Sequence, residues 1–167
     1  MLGIFFISCF LSAHFCADFF YNKYQTGGFT DMHMQLIKNP DESKKLMYQI
    51  ARVVYAETSA SSLPAVEAMV SMIYNASCIP GKSIAQIISD ADMFESLKSD
   101  SPRHDALSVP PIARGFQMCL RVVARMLGGN LPDACCGATR FHHDSVLPDW
   151  ARARGYILDI DNLLFYL

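Results

Sequence analysis

A chain of 167 residues, 51% of them hydrophobic, is long enough for one domain with a core of its own. Its formal charge is −2, from 14 Lys and Arg against 16 Asp and Glu, and no basic run interrupts the balance. Nucleic-acid binding through phosphate neutralisation is therefore not expected.

The first segment, MLGIFFISCFLSAHFCADFF, has no Lys or Arg before Lys23. Its apolar run from Leu2 to about Ala17 suits the hydrophobic region of a signal peptide better than a full membrane span. It lacks a basic start and a clean cleavage site. Residues 1–20 thus read as a signal peptide or a membrane anchor, with an ordinary buried helix as the alternative, and export to the periplasm or cell envelope is expected. Residues 21–40, with Gly27, Gly28 and Asn39 before Pro40, read as a linker. The domain then occupies 41–167.

A first helix is predicted to start near Asp41 or Ser43, where acidic residues suit the helix dipole. At about 100° per residue, its Leu46, Ile50, Val53 and Glu57 fall within about 60° of one another. The glutamate lies on the apolar stripe. A carboxylate held there is costly to ionise and keeps its proton more readily, which is what a general acid needs; a solvated Glu before the loop-like TSASS is the plain alternative. A second helix opens at SSLPAVE, with Pro64 and Glu67 in its first turn, and its Ala65, Met69, Met72 and Ile73 make it a core helix. After Pro80 and Gly81, the Ser83-x-x-Gln86 spacing predicts a capping box for a third helix, SIAQIISD. SDSPRHD reads as a loop. A fourth helix is predicted from about Pro111 to Leu127, ended by Gly128 and Gly129, with Arg114, Arg121 and Arg125 as a solvated stripe.

From Asn130 to Asp149 no helical or alternating period is visible, so a long irregular loop is expected there. After it, GYILDIDNLLFYL reads as a short strand or hairpin. The fold class is thus mainly α, of α+β type, with a helical core.

Chemistry concentrates in CCGATRFHHDSVLPDW, residues 135 to 150. Cys135, Cys136, His142, His143 and Asp144 allow a zinc reading, but their spacing matches none of the usual patterns, so no metal is expected. A cysteine nucleophile paired with His142 or His143 is another reading, without a helix N-terminus to favour the thiolate. A third is a sugar-binding wall, in which Phe141, His142 and Trp150 offer aromatic faces and donors and Thr139 a hydroxyl. Core packing of Phe141 and Trp150 is equally consistent with the sequence. In an oxidising compartment, a disulfide from Cys135 or Cys136 to Cys78 or Cys119 is expected; otherwise these are free core thiols.

Four blocks in order resemble the SleB-type cell wall hydrolase family of spore-cortex-lytic enzymes. ARVVYAETSASSLPAVEAMVSMIYN is similar to its opening block, with Ala51, Arg52, Tyr55, Glu57 and Asn75 on the pattern. DMF at 92–94 resembles its Gln-Phe-Ser region, GATRFHHDSVLPDWAR its Gly-Ala-Thr-His-Tyr-His block, and IDNLLFY its closing Ile-Gly-x-His-x-Phe-Tyr. The sequence departs at Met93, Arg140, Asp161 and Leu163, where the pattern has Gln, His, Gly and His. The resemblance implies a lysozyme-like, lytic-transglycosylase-type domain acting on peptidoglycan glycan strands as a monomer, without a cofactor. It places Glu57 as the catalytic acid and Phe94, Thr139, Phe141, His142, Trp150 and Tyr166 on the substrate side. A non-catalytic peptidoglycan-binding module of the same fold and a hydrolytic muramidase are the alternatives.

Overall fold

The computed structural model describes residues 45–167. The signal or anchor at 1–20, the linker at 21–40 and the expected helix start at Asp41 or Ser43 lie outside the described residues. Helix α1 spans Leu46–Thr58, with Lys45 as its N-cap. Helix α2 spans Leu63–Ser77, α3 is the single turn Ile84–Ile87, and α4 spans Arg114–Leu127. Strands β1 (Arg140–His143), β2 (Leu158–Ile160) and β3 (Leu163–Tyr166) form an antiparallel sheet in the order β1-β3-β2. The domain is a mixed α+β arrangement in which helices dominate.

The helices begin and end where local chemistry dictates. Ser62 caps α2 by accepting from the Ala65 amide, and Pro64 sits in the first turn, where its missing N–H costs nothing. The capping box at Ser83 and Gln86 is present, but α3 stops after one turn, because Ile88 to Phe94 runs on as successive turns. Helix α4 starts at Arg114, later than Pro111, since the Pro110 carbonyl first accepts from Ala113 in a turn. Arg114, Arg121 and Arg125 are exposed, and Arg125 pairs with Glu67 of α2.

Helix α1 packs chiefly on α4, and α2 covers both. Tyr48 and Tyr55 of α1 meet Phe116 of α4 at ring-centroid distances of 6.4 and 6.3 Å. Ile50, Val54, Met69, Ile73 and Phe116 are fully buried in one core, which extends through Phe94 to Phe141 and Phe165 of the sheet.

The irregular loop expected from Asn130 to Asp149 is corrected at Arg140–His143, which is strand β1. A strand whose last three residues are all buried leaves no apolar-polar alternation to read. Pairing with β3, in the register Phe141 to Phe165 and His143 to Leu163, holds it. The predicted C-terminal hairpin is β2–β3, turned by Asp161 and Asn162 at φ of 51° and 65°, the pair of positive values that a type I′ turn requires.

Cys119, Cys135 and Cys136 are free thiols, so the expected disulfide from Cys135 or Cys136 to Cys78 or Cys119 is not formed. Cys119 and Cys135 are buried, and burial pushes the Cys119 thiol up to about 12. Burial likewise raises Cys135, with the neighbouring Asp133 carboxylate adding to it. Neither has the lowered value that a cysteine nucleophile needs.

Candidate active site

Glu57 stands in the last turn of α1, and its side chain is 0% exposed. Beyond it, Ser59 and Ala60 turn the chain at φ of 53° and 48°, a left-handed pair held by Thr58, whose hydroxyl donates to Val54 O and accepts from the Ala60 amide. The carboxylate has two partners. The Ser96 amide donates to Oε1 at 2.8 Å, and His143 Nε2 meets Oε2 at 2.8 Å. A buried carboxylate so placed is satisfied at both oxygens, whereas the sequence reading expected apolar neighbours.

Ser96 belongs to the 3₁₀ turn Glu95–Leu97. Its carbonyl accepts from His104 Nδ1 at 2.9 Å, tying that turn to the 3₁₀ segment His104–Ser108. Arg52 fixes the same segment by donating to Leu107 O at 2.7 Å and Val109 O at 3.1 Å. It makes no pair with Glu57. Arg103 donates to the Glu57 carbonyl at 3.3 Å and lies 3.7 Å from the Glu95 carboxylate.

His143 reaches Glu57 from the far side of the core, at the end of β1. Phe141, two residues earlier on the same face of the strand, packs edge-on against its ring with centroids 5.7 Å apart. The next histidine is turned elsewhere. His142 Nδ1 donates to the His143 carbonyl at 2.8 Å, which leaves Nε2 to accept from the Tyr166 hydroxyl at 2.9 Å. His142, Tyr166 and Trp150 form a ring cluster, and the Arg140 guanidinium sits over Trp150 at 5.2 Å.

An open cleft of about 260 Å³ passes in front of this arrangement. Its lining comes from two stretches of the chain, with Phe141, His142, His143, Pro148 and Trp150 from the second and Asp92, Met93, Glu95, Lys98 and Asp100 from the first. Glu57 is not among the lining residues.

The structure therefore divides the residues singled out in the sequence. It brings Phe141, His142 and Trp150 to the cleft and Glu57 directly behind it. Phe94 is corrected to a core residue, 0% exposed and packed on Phe141. Tyr166 is corrected to a support for His142, and Thr139, whose amide donates to the Tyr166 carbonyl, lies off the cleft at the start of the strand. Cys135 turns to Asn75 and Asp133, away from the histidines, and no three His, Cys, Asp or Glu side chains converge among the described residues.

Two partners of Glu57 were missed. Ser96 acts through its backbone amide, which no residue type announces. The sequence pattern offers His143 as a metal ligand or a base for cysteine; its place on the face of Phe141 follows only from reading RFHH as a strand. No family model, curated protein or solved structure matches the chain.

Proposed function

We propose that this protein is an exported peptidoglycan glycosidase of lytic-transglycosylase type, built on a lysozyme-like domain. The observation that carries the reading is the buried Glu57 carboxylate at the end of α1, hydrogen-bonded through His143 to the wall of an open cleft. A proton held on such a pair, out of bulk water and beside a groove, is the equipment for protonating a glycosidic oxygen. The wall supplies what a glycan needs. Trp150, half-buried on the lining, gives an apolar face for the CH side of a sugar ring, and the carboxylates and Lys98 of the same lining give hydroxyl and amide partners.

The chemistry is cleavage of the bond between N-acetylmuramic acid and N-acetylglucosamine. The acid gives its proton to the glycosidic oxygen, and the muramoyl C6 hydroxyl closes on C1 while returning a proton to the protein. Because that nucleophile is already on the substrate, one acid–base centre suffices. The four sequence blocks support the same substrate, and residues 1–20 agree with delivery to the envelope.

A zymogram of the purified protein on peptidoglycan tests the proposal across about pH 4 to 8, the span over which carboxylate and imidazole centres titrate. Clearing is expected. Retention of glycan strands without clearing at any pH would instead leave a non-catalytic binding module.

A further inference from the structure

The buried Glu57 carboxylate of the proposed reaction does not line the cleft. Glu57 has no exposed side-chain surface and no place on the lining of the cleft, whereas His143 meets both: its Nε2 lies 2.8 Å from the Glu57 carboxylate, and the residue lines the cleft. Glu57 Oε1 is taken by the Ser96 amide. A proton leaving the carboxylate therefore has the imidazole as its neighbour, not a sugar.

The ring is held for this. It is seated at the end of β1, pinned by Phe141 on one side and paired in register with Leu163 of β3. Leu163 is where the resembled closing block carries a His. Cross-strand partners share a face of the sheet, so here an imidazole reaches that face from β1 instead of β3.

We propose that His143 is the group that exchanges the proton with the substrate, and that Glu57 is a positioning residue behind it. The inference rests on the glycosidase reading and names the atom that performs its acid step. With Nε2–H directed at the Glu57 carboxylate, the imidazolium has Nδ1–H for the cleft. That proton goes to the glycosidic oxygen as its bond to muramoyl C1 breaks, and the bonding pair stays on the oxygen, which leaves as the 4-hydroxyl of the next sugar. The C6 hydroxyl oxygen then bonds to C1, and its proton returns to Nδ1. No water is consumed, and the pair ends as it began. Glu57 stabilises the imidazolium and fixes which nitrogen points outward, as a buried carboxylate does for a histidine in other acid–base pairs. The other charged side chains on the cleft lining are Asp92, Glu95, Lys98 and Asp100, with Arg103 against Glu95; of the two residues flanking His143, His142 donates to the His143 carbonyl and Asp144 is exposed.

The test compares the full-length protein with His143→Gln and His143→Ala on two substrates. One is the natural glycan strand. The other is a muramoyl glycoside with a 2,4-dinitrophenolate leaving group, which departs without a proton. In His143→Gln, kcat on glycan strands is expected to fall by about a hundredfold or more, the usual worth of an acid–base group, with KM little changed. Turnover of the dinitrophenyl glycoside, which needs the ring only as base for the C6 hydroxyl and not as acid, should fall far less. Activity in His143→Ala at or above that of the parent would overturn the proposal, since the ring would then be a cover over Glu57. Equal losses on both substrates would also overturn it and make the ring structural. A parent inactive on peptidoglycan would retire the glycosidase reading itself, and this one with it.

Discussion

The Ser96 amide and the Glu57 carboxylate are joined by a 2.8 Å hydrogen bond across 39 residues of sequence. It ties the end of α1 to the 3₁₀ turn that follows Phe94, and it gives the buried carboxylate a donor that every residue except proline would supply at that position. Glu57→Gln preserves the geometry, because the amide oxygen accepts from Ser96 and the amide nitrogen reaches His143. Its stability is expected to stay within about 1 kcal/mol of the parent, the typical net worth of one hydrogen bond. Glu57→Ala leaves the Ser96 amide and His143 unpartnered and opens a void, at a cost of roughly 2 to 5 kcal/mol. Both should lose at least about a hundredfold in kcat on peptidoglycan. Thermal melts alongside activity assays check this, and a Gln variant as unstable as the Ala variant would show that the negative charge itself holds the fold.

Much of this site was legible in the sequence because helices announce themselves locally. The stripe Leu46, Ile50, Val53 and Glu57 needs only the 3.6-residue period, and the caps at Ser62 and Ser83 need only neighbours three residues away. The partners of Glu57 arrive from 39 and 86 residues downstream, one as a backbone amide and one on a four-residue strand buried over its last three residues. Nothing local encodes them. Phe94 and Tyr166 were placed on the substrate side by resemblance, but aromatic residues near a cleft are as often its foundation, and these two carry Phe141 and His142.

Gly115 in α4 is predicted to be irreplaceable on packing grounds. A Cβ there would lie 2.9 Å from the Ala60 Cβ and 3.1 Å from the Tyr55 ring. Alanine gains up to about 1 kcal/mol in helix propensity over glycine, but overpacking a rigid contact costs about 1 to 3 kcal/mol. The clash falls on the left-handed Ser59–Ala60 turn just past Glu57. Gly115→Ala should therefore lower the melting temperature by several degrees and reduce kcat as well. An unchanged melting temperature would show that α4 shifts to make room.

Asp133 organises the approach to β1. Burial alone would raise its carboxyl, but hydrogen bonds from the Cys135 amide and thiol, Asn75 and the Gly137 amide outweigh burial and hold it below the ordinary 3.8. A folded value below the unfolded one means the unfolded state binds the proton more readily, so this stabilisation is complete above the ordinary value and is lost as pH falls through the depressed one. Asp133→Asn should destabilise the parent at pH 7, and the difference between the two should narrow as pH falls below the ordinary carboxyl value and through the depressed one. Urea titrations across that span check it. A difference independent of pH would assign the loss to geometry and not to charge.

The final prediction concerns the product. Hydrolysis by a two-carboxylate mechanism needs a second Asp or Glu about 5 to 9.5 Å from the first. Asp144 and Asp149, the acidic residues of the loop beyond β1, are both exposed; the Asp149 carboxylate pairs with Arg152 at 3.0 Å, and neither lines the cleft. Each should be replaceable by Asn with less than about a tenfold loss, roughly 1.4 kcal/mol in the barrier. If the C6 hydroxyl is the nucleophile, mass spectrometry of the digest will show muramoyl ends lighter by one water than the hydrolysed fragment, and reducing-end assays will stay near background. Asp92, Glu95 and Asp100 do line the cleft, so they are where a second carboxylate would act. New reducing ends, together with a loss of more than about a hundredfold in Asp92→Asn, Glu95→Gln or Asp100→Asn, would replace the transglycosylase reading with a muramidase in which water, activated by that carboxylate, completes the cleavage.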